Sequence, residues 1–300
     1  MSARQLIRSA IALGGLIVLW GAFEVVRRLG GDEPQPFALP ALAAPDVDTV
    51  SMVKGSDTVL LARRDGARWD VNGLPAASTA VTELFDALHD TVKSDLVARS
   101  TSSHERLGVD SAGGRRVRFV GGGKELLDLV FGNRGREWGT IYVRRATEPE
   151  VYVIGGLANV IDRDQDAWRD KRIAALDADS IAEIDVARGA AGYTLRRADS
   201  TWTVDGTPAD SGAVARLLQE LREVTATGFP TVAQADSIDF TAPDRRLVAR
   251  GTGGQTLLAL SFDSLSFAYW VRHDSGGPVF RMDSWRADRL TPADSALRAR

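Results

Sequence analysis

Residues 68–78 read RWDVNGLPAAS, and residues 201–211 read TWTVDGTPADS. Set 133 residues apart, with Trp69 on Trp202, the Trp, Val, Gly, Pro, Ala and Ser positions coincide and Asn faces Asp. The match continues downstream. Val81, Leu84, Phe85 and Leu88 fall on Val214, Leu217, Leu218 and Leu221, and both sets follow the i, i+3, i+4, i+7 spacing of one helix face. Ser78, and Asp210 or Ser211, are the expected N-caps.

Further along the offset drifts. GKELLDLVF (123–131) aligns with GQTLLALSF (254–262) at 131 residues, and the alternating Leu127, Leu129, Phe131 and Leu258, Leu260, Phe262 read as half-buried strands. At 128 residues IYVR (141–144) meets YWVR (269–272), and VYVI (151–154) meets VFRM (279–282). WRDKRI (168–173) then matches WRADRL (285–290), after the second copy has lost about eleven residues. Blocks in the same order with gaps between them indicate a duplicated unit.

Each copy reads as two strands, an Asn/Asp-Gly turn, one helix, a strand, hairpins and a closing Trp-Arg segment. GGG (121–123), GTGG (251–254) and GNRG (132–135) suit hairpin turns. No βαβ alternation is visible. The expected class is α+β, with two tandem copies of a mainly antiparallel sheet and one principal packed helix each. The units are 46–173 and 174–300. The repeated positions Trp69, Gly73, Pro75, Trp202, Gly206 and Pro208 form the joint into the helix. Trp168, Arg169, Arg172, Trp285, Arg286 and Arg289 form the close. Repeat equivalence assigns the tryptophans of both sets to cores.

Ahead of the repeats, Leu6–Val26 is an apolar run of about 21 residues flanked by Arg4 and Arg8, near the ~20 that cross a bilayer. An uncleaved transmembrane anchor at 6–26 is favoured over a cleaved signal peptide, whose nearest small-residue site, Ala41-Leu42-Ala43-Ala44, lies well past the apolar run. Arg4 and Arg8 place residues 1–5 in the cytoplasm, against the weaker opposing pull of Arg27 and Arg28. The expected location is therefore the cytoplasmic membrane, crossed once, with the bulk of the chain outside. Residues 27–45 form a Pro/Ala-rich spacer.

The residues offer little chemistry. There is no cysteine, which excludes disulfides, thiolate metal sites and a cysteine nucleophile. A net charge of −3 gives no general attraction to nucleic acid. The three histidines, His89, His104 and His273, stand near serines and acids, but no Gly-x-Ser-x-Gly elbow accompanies them. Asp162-Arg163-Asp164-Gln165-Asp166 opens like a calcium loop, then carries Ala167 and Ile173 where Gly and Glu are needed. No catalytic residue, cofactor or metal is assigned. The arginine pairs Arg63-Arg64 and Arg196-Arg197, and Arg115-Arg116 and Arg245-Arg246, read as edge protection and a solvated sheet face; a basic surface for an acidic polymer is the sharper alternative. Trp138, Tyr269 and Trp270 have no evident structural role and are the expected partner contacts.

The W-x-V/L-x-G-x-P-A-D/A-S joint, Leu107-Gly108-Val109-Asp110 and the Arg-Asp-Lys-Arg-hydrophobic close at 169–173 resemble the domain-of-unknown-function family numbered 4340. The resemblance implies a membrane-anchored extracytoplasmic protein, encoded beside an ABC-type exporter with gliding-motility-like auxiliary subunits, and no established enzyme activity. The partners it implies are the bilayer, through residues 6–26, and an ABC-type permease or auxiliary subunit. The second copy departs from the pattern, with Ile238-Asp239-Phe240 in place of Leu-Gly-Val and no Lys in its close. The leading functional expectation is a non-enzymatic binding and assembly module. An envelope-polysaccharide-binding protein is the alternative, and a hydrolase ranks last.

Overall fold

The computed structural model describes residues 20–21, 37–89 and 94–299. The expected anchor at 6–26, apart from Trp20 and Gly21, and the first part of the spacer lie outside the described residues. No helix among the described residues is long and apolar enough to cross a membrane.

The chain builds two large antiparallel sheets with a few helices, an α+β architecture. The first unit runs β1 (Thr49–Lys54), β2 (Asp57–Arg63), β3 (Trp69–Val71), β4 (Leu74–Pro75), α1 (Ser78–His89), β5 (Ser94–Ala98), α2 (His104–Leu107), β6 (Arg115–Gly121), β7 (Lys124–Arg134), β8 (Thr140–Arg145), β9 (Val151–Gly155), α3 (Ala158–Ile161), α4 (Gln165–Trp168) and β10 (Arg172–Ala174). The second runs β11 (Ile181–Arg188), β12 (Ala191–Ala198), β13 (Thr201–Val204), β14 (Thr207–Pro208), α5 (Ser211–Arg222), β15 (Val224–Thr225), α6 (Val232–Ala235), β16 (Arg245–Gly251), β17 (Thr256–Leu265), β18 (Ala268–His273), β19 (Phe280–Asp283) and α7 (Ser284–Leu290). A 3₁₀ turn at Asp294–Ala296 follows.

The strand orders coincide over eight strands, and the first sheet adds β5 as a ninth. The first sheet is β4-β3-β2-β1-β6-β7-β8-β9-β5 and the second β14-β13-β12-β11-β16-β17-β18-β19. The registers coincide too. Val117 faces Leu129 as Leu247 faces Leu260, and Ile141 faces Ile154 as Tyr269 faces Met282. Offsets of 131 and 128 residues therefore hold at backbone level.

One helix covers one face of each sheet because its apolar stripe matches the alternation of the strands. Val81, Leu84, Phe85 and Leu88 join Val50, Met52, Leu61, Phe119 and Leu129 in the first core. Val214, Leu217 and Leu221 join Ile184, Val186, Leu195, Leu260 and Phe262 in the second, with Leu218 half-buried at the margin. Asp210 caps α5 by accepting from Ala213 N at 2.6 Å. Ser78 lies one residue inside α1 instead; the position equivalent to Asp210 is Ala77, whose carbonyl accepts from Val81 N.

The Asn/Asp-Gly joint has a local cause. Asn72 and Gly73 adopt φ of 48° and 81°, and Asp205 and Gly206 47° and 82°, values that suit these residue types. Asn72 Oδ1 also accepts from Leu60 N at 2.8 Å, and Asp205 Oδ1 from Thr194 N at 2.9 Å, so each side chain extends the ladder onto the neighbouring strand.

The Leu-Gly-Val segment seals the other face of the first sheet. Leu107 and Val109 bury with Val130 and Val151 in a small outer cluster. Gly108, at φ 69°, ends α2. Gly132 lies within β7 rather than in a turn; a Cβ there would run into Leu107 O and come 2.6 Å from Val109 Cγ1. Arg144 fixes the seal through Val109 O, Arg145 O and Ala146 O at 2.8–3.1 Å, and burial pulls its pKa down.

The closing segments do not align as WRDKRI on WRADRL. Ala77 N donates to Trp168 O at 2.8 Å, and Asp210 N donates to Leu297 O at 2.8 Å. Ala76 bridges Arg169, and Ala209 bridges Arg298. Trp168 is thus the counterpart of Leu297, both fully buried, and Arg169 is the counterpart of Arg298. Trp285 follows β19 at the start of α7 and is 53% exposed, so its expected core role is overturned. Arg286 donates to Thr225 O at 2.8 Å and Arg289 pairs with Glu220 at 2.7 Å.

Beyond Trp168 the two units join. β10 pairs antiparallel with β15, Arg172 opposite Thr225 and Ala174 opposite Val224. Thr227 and Gly228 in turn bond Arg281 of β19. The tail of the first unit thus pairs with the short strand that leads into this edge contact, and Ile173 packs in the second core.

Candidate functional site

The outer sheet faces carry arginines that are already paired. Arg116 meets Asp128, and Arg246 meets Asp274 at 2.6 Å. Arg250 meets Glu183 at 2.7 Å and also Asp185, while Arg196 meets Glu183 at 2.8 Å. Burial alone would raise the Asp185 pKa, but Arg250 and the Thr194 hydroxyl outweigh it and hold the carboxyl below its ordinary 3.8. These arginines are not edge guards, because β6 and β16 lie inside their sheets. The first pair also shifts by one position. Arg63 faces Trp69 and Arg197 faces Trp202, so Arg63 corresponds to Arg197. Arg115 and Arg245 point inward. Arg245 is buried between Asp288 at 2.7 Å, Thr291 at 2.9 Å and the Tyr269 ring.

Among the described residues no triad assembles from the serines, histidines and acids. His104 contacts Pro149 O at 2.9 Å in the first unit, and His273 of the second contacts Ile173 O at 2.7 Å. Asp274 accepts from Ser261 and Arg246. The acidic turn is likewise consumed locally: Asp162 pairs with Arg134, Asp164 caps α4 and Asp166 pairs with Arg169. Among the described residues no group of three His, Asp or Glu converges to hold a metal.

The three expected contact residues separate. Trp138 is 93% exposed at the tip of the β7–β8 hairpin. Tyr269 turns inward beneath Arg245, edge-on to Phe262 at 6.3 Å. Trp270, at the position of Tyr142, is only 2% exposed, so a contact role for it is overturned. Phe267 is the residue that sequence reasoning missed. It stands 90% exposed at the tip of the β17–β18 hairpin, the counterpart of the hairpin that carries Trp138. Its neighbour Ser266 holds φ of 25°, an unfavourable conformation for a residue with a side chain. The signal was available: the registers of β8 and β18 place both turns at the same point of the repeat.

The joint and the close meet at the seam. Asp170 N donates to Pro75 O at 2.9 Å, and Ala226 N donates to Lys171 O at 2.7 Å. The Arg169 guanidinium lies 3.5 Å from the centre of the Phe229 ring, which packs on Phe280 at 5.5 Å. A cavity of about 210 Å³ opens here, lined by Pro75, Arg169, Arg172, Phe229, His273 and Phe280 among others. Within the core beside it Trp168 buries its indole Nε1 without a partner.

These features define a tandem α+β protein with two sheets of one topology, joined by a signature segment. The family model described as domain of unknown function (DUF4340) matches residues 69–243. That is more than half of the 300-residue chain, and the chain belongs to this family. No curated protein and no solved structure matches it.

Proposed function

We propose that the chain is a non-enzymatic, membrane-anchored docking and assembly module, an accessory component of an ABC-type export system whose folded units lie outside the cytoplasmic membrane. The observation that carries the docking reading is the pair of aromatics at equivalent hairpin tips, Trp138 and Phe267, both at least 90% exposed. Large aromatics left in water mark contact sites, because covering them recovers apolar area at little cost in side-chain entropy. The exporter assignment rests on the family resemblance, and the anchor on the apolar run at 6–26. The partner is an extracytoplasmic loop of a permease or auxiliary subunit. Pairing of the outer-face arginines with carboxylates counts against an acidic envelope polymer as the ligand.

The test places a photo-crosslinking amino acid at position 138 or 267 of the full chain in native membranes, with position 196 on a sheet face as control. Crosslinks to permease or ATPase subunits from 138 and 267, and not from 196, are expected. Binding of isolated envelope polymer with no protein crosslink at either tip would sink the reading.

A further inference from the structure

We propose that the seam cavity between the two units binds a carboxylate carried on a small apolar body, with Arg169 as its principal cation. Three observations carry this.

The first is the state of Arg169 compared with its counterpart. In the second unit Asp294 lies along one edge of the Arg298 guanidinium, 2.7 Å from Nε and 3.0 Å from Nη2, and Nη1 donates to Thr207 at 2.9 Å. Four residues before Arg169 the chain carries Gln165, which has no charge to offer. Arg169 donates through Nη1 alone, to Asp166 at 3.3 Å. Among the described residues its Nε and Nη2 donate to nothing, and Nε is closed off from water.

The second is burial. The Arg298 side chain is 40% exposed, whereas that of Arg169 is only 11% exposed and lies over the Phe229 ring. An incompletely paired cation costs most where water is scarce, so an incoming acceptor gains most at Arg169.

The third is the cavity itself. The exposed remainder of Arg169 lines it together with Arg172, facing the apolar walls Leu74, Pro75, Ile173, Phe229, Pro278 and Phe280. Asp170 is the carboxylate at this wall, and it already holds Arg172 N at 2.9 Å. Asp166 lies 3.3 Å from Arg169 and Asp170 3.5 Å from the Arg172 guanidinium, both looser than the 2.7 Å pairing of Asp294 with Arg298, so each arginine at the mouth of the apolar recess keeps donor capacity for a further acceptor. His273 is committed to Ile173 O. Lys171 and Glu223 face the adjoining open crevice, which Arg169 also lines. The arrangement suits an apolar group ending in a carboxylate, the same charge that Asp294 supplies internally to Arg298. It stands independently of the aromatic tips.

Calorimetric titration of the full chain in detergent tests this. The probes are 3-phenylpropionate, its uncharged amide, and a tetrapeptide ending in phenylalanine as free acid and as amide. At least one acid is expected to saturate, binding at least tenfold more tightly than its amide. Saturation by phenylpropionate identifies a small organic acid as sufficient; a response to the peptide acid alone identifies a chain end of a partner. Gln165→Asp, which restores the internal carboxylate of the second unit, is expected to weaken the acid at least tenfold while leaving the urea midpoint undiminished. Arg169→Gln is expected to abolish the preference for acid over amide. Failure of both acids, equal binding of acid and amide, or unchanged binding in Gln165→Asp would overturn the proposal.

Discussion

Replacing Trp168 and Trp285 by alanine separates the structural repeat from the sequence repeat. By sequence the two are partners, and their loss should cost the same. By backbone hydrogen bonding Trp168 is the counterpart of Leu297, and Trp285 stands at the surface. Trp168 is fully buried, and its carbonyl holds the start of α1 through Ala77 N. Burying a tryptophan removes roughly 150–250 Å² from water, worth about 4–6 kcal/mol at ~25 cal/mol/Å². Large-to-small core changes of this kind cost about 3–5 kcal/mol. The indole Nε1 has no partner among the described residues, and removing an unsatisfied donor returns about 1 kcal/mol, the lower end of the cost of such a group. The expected loss for Trp168→Ala is therefore about 2–4 kcal/mol. Trp285 meets the guanidiniums of Arg286 and Arg289, 5.3 and 5.6 Å from its ring, which at an exposed site contribute about 0.5–1 kcal/mol. Its loss should cost about 1 kcal/mol or less, since a surface truncation leaves no cavity. Urea unfolding of the full chain in detergent, followed by far-UV circular dichroism, reads the difference. With a slope of about 2 kcal/mol per molar, Trp168→Ala should lower one transition midpoint by about 1–2 M and Trp285→Ala by about 0.5 M or less. Equal shifts, or a larger one for Trp285→Ala, would refute the backbone correspondence.

Three further outcomes are expected. Gly132→Ala should destabilise the first unit by about 1–3 kcal/mol, because its methyl meets Leu107 O and Val109, and a neutral urea midpoint would show that α2 does not press on β7 as described. Asn72→Ala should cost about 1–3 kcal/mol through two lost hydrogen bonds and a strained φ of 48°, with Asn72→Gly costing less; the reverse order of thermal midpoints would contradict the turn assignment. Asp185 has its folded pKa held below 3.8, so its contribution is present above that value and is lost as the pH falls through the lower folded value. Between pH 5 and pH 3 the wild type should lose more stability than Asp185→Asn, and parallel loss in the two would rule out this pairing as a source.

Much of the architecture was legible because it is periodic. The helix stripes at Val81–Leu88 and Val214–Leu221 and the alternating Leu127, Leu129 and Phe131 repeat every turn or every second residue, and burial enforces both periods. The close misled because WR-x-x-R is short and its correspondence rests on a backbone bond to the helix entry. A buried plug at that point accepts Trp168 or Leu297 alike, so side-chain identity did not mark it. Trp270 misled for a different reason. It faces away from the main core, where alternation predicts solvent, and is nonetheless buried. The seam was invisible because β10 and β15 are three and two residues long, too short to show a period. Gln165, which sets Arg169 apart from Arg298, gains meaning only once the two arginines are known to be counterparts.

The pairing of β10 with β15 has a consequence for the order of events during synthesis. Arg172–Ala174 leaves the ribosome before any strand of the second sheet exists, and waits for Val224–Thr225 to arrive about fifty residues later. At elongation rates of some 5–20 residues per second that is an interval of seconds. The first unit can close its core during this time while its tail stays open as a template. A chain begun at residue 175 would lack that template altogether, leaving the backbone of Val224 and Thr225 without its β10 partner and free to recruit a neighbouring molecule.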